Sequence, residues 1–283
     1  MSEFSNGIIY VASGTSYIEE ACQSARSVKK HMPNMPITLF THTSIEDTVF
    51  DDVVLDERLG SGRSPKEGKV GCLSRSPYDR TLYLDTDTYV CTDICDIFTL
   101  LDTFDLAVAH DPARLYYSGG EYPSNLPESF PELNTGVILY KNTSKNVVNL
   151  LSSWKEKYGS MCKEENERDQ ISFREVLYNS NVRMTVLTPE YNCRFGFPLY
   201  LDGPVKIIHG HLDRLTPNLS YSEVEKILNK GGGVYEDGIH RRVFQVQSGR
   251  LSYPWPAKPS IPARFWQTVV HTIKIIKNII YHN

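Results

Sequence analysis

No run of about 18 consecutive apolar residues occurs in the 283-residue chain, which excludes a membrane-spanning helix. Residues 1–14 lack the cationic start and long apolar core of a secretory leader. Cysteine is sparse: six residues, at positions 22, 72, 91, 95, 162 and 193, are scattered along the chain. That spacing excludes a dense disulfide framework and leaves reduced thiols as the expectation. Cys91 and Cys95 have neither a second pair nor a His at zinc-binding spacing. No charge of one sign dominates either. Thirty basic and 34 acidic residues leave a net charge of −4, which argues against nucleic-acid backbone as a partner. Internal repeats and low-complexity segments are missing too. What remains is an ordinary globular composition, long enough to bury a core without staples. A cytoplasmic protein is the expectation.

The apolar runs that are present alternate with helical patterns. Gly7 to Ala12 reads as a buried strand, broken by Gly14-Thr15-Ser16. Tyr17 to His31 follows with Ile18, Cys22, Ala25 and Val28 at helical spacing, ends at Pro33 and Pro36, and gives way to a strand at Ile37–Thr41. Strand, helix, strand in about 35 residues is a βαβ unit and implies a parallel sheet. Further strands are predicted at Asp52–Leu55, Thr81–Asp85, Leu106–Ala109, Thr135–Tyr140, Val182–Leu187 and Val205–His209. Helices are predicted at Lys66–Ser76, Val147–Tyr158 and Asp169–Asn179. Residues 110–131 carry four prolines and two glycines and read as a long loop of the binding or lid type. The expected organisation is one α/β domain over residues 1–252. Beyond it, residues 253–283 form a Pro-rich connection and an amphipathic helix at Phe265–Tyr281.

The sharpest motif is Leu82-Tyr83-Leu84-Asp85-Thr86-Asp87-Thr88. In an extended segment, alternate side chains project to one side, so the two carboxylates would share a face about 7 Å apart at Cα. They stand where an apolar strand gives out, the edge at which open α/β sheets bind ligands. Two hard oxygen donors there suit Mg²⁺ or Mn²⁺, which leave coordination positions open for a diphosphate.

With these residues in place, the chain resembles the GT-A nucleotide-sugar glycosyltransferases, in particular their glycogenin-like and galactosyltransferase-like retaining branch. The resemblance covers about residues 7–215 in the family's order. It implies a mostly parallel, Rossmann-like sheet flanked by helices. It also implies a metal held by Asp85, Asp87 and, from Lys206-Ile207-Ile208-His209-Gly210, by His209. Mn²⁺ suits this mixed oxygen and nitrogen set better than Mg²⁺. Nucleotide-sugar contacts fall on Ala12, Ser13, Tyr17, Lys69, Asp85, Thr86 and Gly210, with Tyr17 stacking on the base. Leu133-Asn134-Thr135-Gly136-Val137 matches a segment lining donor sugar and acceptor, which makes Asn134 a site residue. Arg168-Asp169-Gln170 matches a helix start that holds sugar hydroxyls, which adds Asp169 and Gln170.

One departure stands out: where the family places a pyrophosphate-binding Lys six residues after the His, this chain has Leu215, so Arg214 or His211 would have to serve. The resemblance implies sugar transfer from a nucleotide-diphosphate donor, a UDP-sugar foremost, to a glycan, lipid-linked saccharide or protein hydroxyl, with retention. The alternatives are a sugar-phosphate nucleotidyltransferase, whose Gly-rich phosphate loop Ser13–Ser16 lacks, and a non-catalytic nucleotide-sugar- or carbohydrate-binding homologue. Trp266, Lys274 and Lys277 suit the C-terminal helix to docking on its own domain, to membrane-surface contact or to homo-oligomer formation.

Overall fold

The computed structural model describes residues 5–60, 65–112, 126–127, 129–161, 168–197, 199–212, 218–229, 243–247 and 250–252. The expected loop at 110–131 falls largely outside these residues. Arg214, Leu215 and the whole 253–283 arm lie outside them as well.

The βαβ reading holds. Strand β1 (Asn6–Val11), helix α1 (Thr15–His31) and strand β2 (Ile37–Thr41) open the chain. β1 and β2 pair in parallel, Ile8 opposite Ile37. Gly14, before the first turn of α1, has φ +91°, which Gly adopts at little steric cost. Lys29, Lys30 and His31 in its last turn complement the helix dipole. β3 (Asp52–Leu55), α2 (Pro65–Leu73) and β4 (Arg80–Leu84) complete a parallel half.

The main sheet continues through β6 (Leu106–His110), β7 (Leu133–Lys141) and β8 (Met184–Leu187), in the order β3-β2-β1-β4-β7-β6-β8. Only β7 runs against the rest of this sheet. Because β4 lies on the other side of β1 from β2, the strand order reverses between β1 and β4, where open α/β sheets leave a crevice.

Both faces of the sheet are covered, which is why its strands read as apolar runs and not as alternating ones. Ile8, Tyr10, Leu82, Leu84, Val137 and Leu139 pack toward α1, with Ala21, Ala25 and Val28. The intervening Ile9, Tyr83, Ile138 and Tyr140 pack on the opposite face with Trp154 of α3 (Lys145–Met161) and Phe173 of α4 (Asp169–Tyr178). Trp154 also donates its indole N–H to the Asp169 carbonyl at 3.2 Å and to Ser172 Oγ at 3.1 Å, fixing where α4 begins.

Two small sheets were not expected from the sequence. β5 (Thr88–Val90) pairs antiparallel with β10 (Ile207–His209), and β9 (Leu199–Leu201) pairs with β11 (Val243–Gln247), which pairs with β12 (Arg250–Ser252). Four of their five strands have three residues, too short to show a period, and β10 alone was predicted, within Val205–His209. Helix α5 (Tyr221–Asn229) closes a third apolar cluster with Phe195, Val205 and Ile208. β8 and β10 each start two residues later than predicted.

At the end of β3, Asp56 is buried and receives Arg58 at 2.8 and 2.7 Å and also Arg75. The Arg58 hydrogen bonds, against the cost of desolvation, and Arg75 beside them hold its carboxyl well below the usual range. A depressed folded-state pKa gives stability that is complete above the unfolded value near 4 and is lost as pH falls below it. Asp56→Asn is therefore expected to lower unfolding free energy by about 2 kcal/mol at pH 7, with the difference from wild type narrowing below about pH 4 in urea titrations.

Candidate active site

Five chain segments meet at the crevice: the turn after β4, β10, β7, α2 and the start of α4. β4 ends at Leu84, and the acidic motif that follows is a tight turn and not the extended segment predicted. The Thr88 amide donates to the Asp85 carbonyl at 3.3 Å and its hydroxyl to the same oxygen at 2.8 Å, so the chain reverses and feeds β5. The reversal has a consequence for His209. Thr88 in β5 is the register partner of His209 in β10, so the β5–β10 ladder delivers the imidazole to the two aspartates. His209 Nε2 lies 3.3 Å from Asp87 Oδ1 and 3.8 Å from Asp85 Oδ2. Gly210 follows with φ +142°, a conformation that favours glycine, and its amide donates to the Asp87 carbonyl at 2.9 Å.

β7 contributes through an irregularity. Its register against β6 shifts between Val108 and Ala109, whose partners are Ile138 and Asn134, so Thr135 to Val137 bulge toward the site. Within the bulge, the Gly136 carbonyl accepts from the Asp85 amide at 2.8 Å. A Cβ at Gly136 would stand 2.1 Å from His209 Cε1 and 2.7 Å from Asp85 Oδ2, so only glycine lets the three ligand-type side chains converge. Gly136→Ala is expected to force His209 and Asp85 apart. The protein should lose about 1–3 kcal/mol of stability by urea unfolding.

Lys69 of α2 reaches the centre of the site. Its ammonium lies 3.0 Å from Asp85 Oδ1 and 3.1 Å from Asp169 Oδ2, and donates to Thr135 Oγ1 at 3.3 Å. Burial works against this charge, yet the Asp169 and Asp85 carboxylates raise the Lys69 pKa above its ordinary value. Thr135 in turn donates to Asp169 Oδ2 at 2.9 Å, and the Tyr83 hydroxyl donates to Asp85 Oδ1 at 2.6 Å. Burial and the Asp85 charge push the Tyr83 phenol far up, so it stays a neutral donor. At Asp87, burial opposes ionisation, but His209 and then His211 and Arg194 hold the carboxyl below the usual range.

Asp85 and Asp169 share the Lys69 ammonium, and Asp87 faces His209 instead, so the carboxylates gathered here could also take a divalent cation. The donor set fits such an ion. One atom each from Asp85, Asp87 and His209 lie within 4.8 Å of one another, and ligands bonded at about 2.1 Å in an octahedron stand about 3 Å apart when cis.

The remaining residues picked out in the sequence lie around this centre. Ala12 follows β1 directly, with its amide donating to the Phe40 carbonyl at 3.0 Å. Ser13 turns its hydroxyl inward to the Leu59 carbonyl at 2.7 Å and toward His42 Nδ1 at 3.3 Å. Tyr17 is 42% exposed in the first turn of α1, open to a planar ligand. Thr86 donates to Glu20 Oε2 at 2.9 Å, and Glu20 Oε1 meets His211 Nδ1 at 2.8 Å. His211 Nε2 stands 3.6 Å from Asp87 Oδ2, at the margin of the same centre.

Asn134 and Gln170 converge on a carboxylate that sequence reasoning missed. Asp111, just past β6, accepts from Gln170 Nε2 at 2.5 Å and from Asn134 Nδ2 at 3.3 Å, and faces Arg168 at 3.4 Å and Arg194 at 3.6 Å. Glu132 binds Arg168 at 2.6 Å. Asp111 is an acid directly after an apolar strand at the same sheet edge as Asp85, and that position is the signal that could have found it. Beside it opens a cavity of about 200 Å³ lined by Asp111, Leu187, Pro189, Asn192 and Tyr200. Asn192 was missed too. Its Oδ1 lies 2.7 Å from His209 Nδ1, and its Nδ2 is buried without a hydrogen-bond partner among the described residues.

The chain matches no protein-family model. It is 26% identical over 162 residues to glycogenin-1 of Mus musculus, covering 50% of this chain and 43% of that protein. Against glycogenin-1 of Homo sapiens it is 25% identical, with 41% of that protein covered. The match thus spans less than half the length of these curated relatives. Among solved structures, the galactosyltransferase LgtC in complex with donor and acceptor sugar analogues superposes with a TM-score of 0.53 at 16% identity, covering 82% of this chain and 98% of LgtC. The glycosyltransferase GlyE of Streptococcus pneumoniae gives 0.52 at 17% identity, covering 80% and 59%. Among the described residues no helix is long and apolar enough to cross a membrane. With the strand reversal beside β1 and the acidic turn after β4, these likenesses show that the chain has the GT-A fold of the nucleotide-sugar glycosyltransferases.

Proposed function

We propose that the protein is a metal-dependent glycosyltransferase that moves a sugar from a nucleotide-diphosphate donor to an acceptor hydroxyl with retention of configuration. The convergence of Asp85, Asp87 and His209 at the sheet's switch point, with Lys69, Asp169 and Gln170 alongside, carries this reading. Asp85, Asp87 and His209 would hold the ion, Mn²⁺ in preference to Mg²⁺ because of the imidazole. When bound, the ion neutralises charge on the leaving diphosphate.

The chain's own residues do the rest. Ala12, Ser13 and Tyr17 take the nucleoside, with the exposed Tyr17 ring stacking on the base and Thr86 and Gly210 lining the approach. Lys69 keeps its proton in this setting and offers a fixed positive charge between Asp85 and Asp169. Asp169 and Gln170 hold donor-sugar hydroxyls, and Asn134 meets donor or acceptor at the Asp111 end. The cavity beside Asp111 takes the acceptor, whether a glycan, a lipid-linked saccharide or a protein side chain.

A front-face substitution is favoured over a covalent glycosyl intermediate. Asp169 Oδ2 already accepts from both Lys69 and Thr135, and a carboxylate so engaged is a weaker nucleophile. The test is release of nucleoside diphosphate from a panel of nucleotide sugars with Mn²⁺ and no acceptor, with the freed sugar's anomer read by proton NMR. Release from one donor, dependent on metal and with configuration kept, is expected. No release from any donor would overturn the catalytic reading. An inverted anomer would overturn retention, and a glycosyl adduct on Asp169 would overturn the front-face route.

A further inference from the structure

Asn192 is not an obvious site residue. It ends a short 3₁₀ turn, Pro189–Asn192, between β8 and β9, 17 positions before His209. Yet its side chain is 2% exposed and its carboxamide oxygen lies 2.7 Å from His209 Nδ1, with His209 itself 4% exposed. The backbone reinforces the pairing: Cys193 donates to the Ile207 carbonyl at 2.8 Å, and His209 donates to the Cys193 carbonyl at 3.0 Å. Two hydrogen bonds thus clamp Cys193, next to Asn192, to β10 on either side of Ile208. An amide oxygen carries no proton, so the proton in the 2.7 Å contact belongs to His209 Nδ1. In the neutral ring this leaves the Nε2 lone pair pointing at Asp85 and Asp87.

We infer that Asn192 is a positioning residue that locks His209 in the Nδ1–H tautomer and so presents Nε2 for metal ligation. The inference rests on the reading of Asp85, Asp87 and His209 as metal ligands. An imidazole free to choose its tautomer would favour the other form here, because an Nε2–H could donate to the Asp87 carboxylate 3.3 Å away, and that form cannot ligate through Nε2. A partner that holds the distal ring nitrogen typically changes metal affinity about 10- to 100-fold when removed.

The test uses the full chain. Long-range proton–nitrogen correlation spectra of histidine-labelled, metal-free protein report the tautomer, with His209 assigned through His209→Gln. Mn²⁺ affinity follows from electron paramagnetic resonance titration. At a pH that leaves the ring neutral, wild type should show the Nδ1–H form. Asn192→Leu, which keeps volume but accepts no proton, should shift the ring toward Nε2–H and weaken Mn²⁺ binding about 10- to 100-fold. Asn192→Asp, which still accepts, should keep both the tautomer and the affinity.

An Nε2–H tautomer in wild type would overturn the inference, and this measurement needs no variant to fold. So would an Asn192→Leu protein that is folded by circular dichroism and unchanged in tautomer and affinity. Failure of wild type to bind Mn²⁺ at all would instead overturn the metal site itself, which separates the two claims.

Discussion

Asp87→Ala is expected to lower the rate of sugar transfer about a thousandfold while leaving the fold intact. The magnitude follows from what the side chain holds. Charge neutralisation at a leaving diphosphate is worth several kcal/mol, and about 4 kcal/mol is three decades of rate. The fold should survive because Asp87 lies in a turn outside the sheet, whose paired backbone begins again only at Thr88. Its carboxylate contacts are His209 at 3.3 Å and His211 at 3.6 Å, both within the crevice. The check is a rate measurement paired with thermal unfolding. A variant that transfers sugar within tenfold of wild type would contradict the role given to Asp87.

Lys69→Met carries the largest expected effect on stability. Its ammonium is the charge between Asp85 and Asp169, and the Lys69 side chain is only 10% exposed. Removing it leaves two carboxylates facing each other without that cation. Breaking a buried pair costs about 3–5 kcal/mol. Asp85 is 29% exposed, so solvent screens part of the repulsion and about 3 kcal/mol is expected. For a chain of this size that is a fall of about 6–12 °C in the unfolding midpoint, measured in EDTA. Mn²⁺ should restore part of it in the variant, because the ion supplies positive charge to the same carboxylates. A Lys69→Met protein as stable as wild type in EDTA would show that the ammonium is not the counter-charge assigned here.

The part of this site that was legible from the residues themselves has a physical reason. β1, β4 and β7 are covered on both faces, so they appear as apolar runs, and the polar residues that follow them mark the sheet edge. Asp85 and Asp87 were found because they sit at such a boundary. Asn134, His209, Asp169 and Gln170 were found through the resemblance of their short segments to those of the family. What was not legible depends on pairing between distant short segments. The β5–β10 ladder, three residues on each side, turns Asp-Thr-Asp from an extended segment into a turn and sets His209 opposite Thr88. Neither strand is long enough to show alternation. The contacts of Asn192 with His209 and of Asp111 with Gln170 span 17 and 59 residues, and a single sequence carries no sign of either. Gly136 stood in a recognised segment, but its necessity comes from the approach of His209 across the bulge, which only the coordinates reveal.

The proposed function requires a nucleotide diphosphate and a metal to share the crevice formed by Asp85, Asp87 and His209. Thermal unfolding against nucleoside diphosphates and nucleotide sugars, each with Mn²⁺, Mg²⁺ or EDTA, measures that directly. A ligand at about 100 times its dissociation constant stabilises the native state by about 2.7 kcal/mol, or about 5–11 °C here. The expected result is a shift of that size with one nucleobase, larger with Mn²⁺ than with Mg²⁺, lost in EDTA and lost in Asp87→Ala. A folded protein whose midpoint moves with no donor, or moves equally in EDTA, would contradict the metal–diphosphate site.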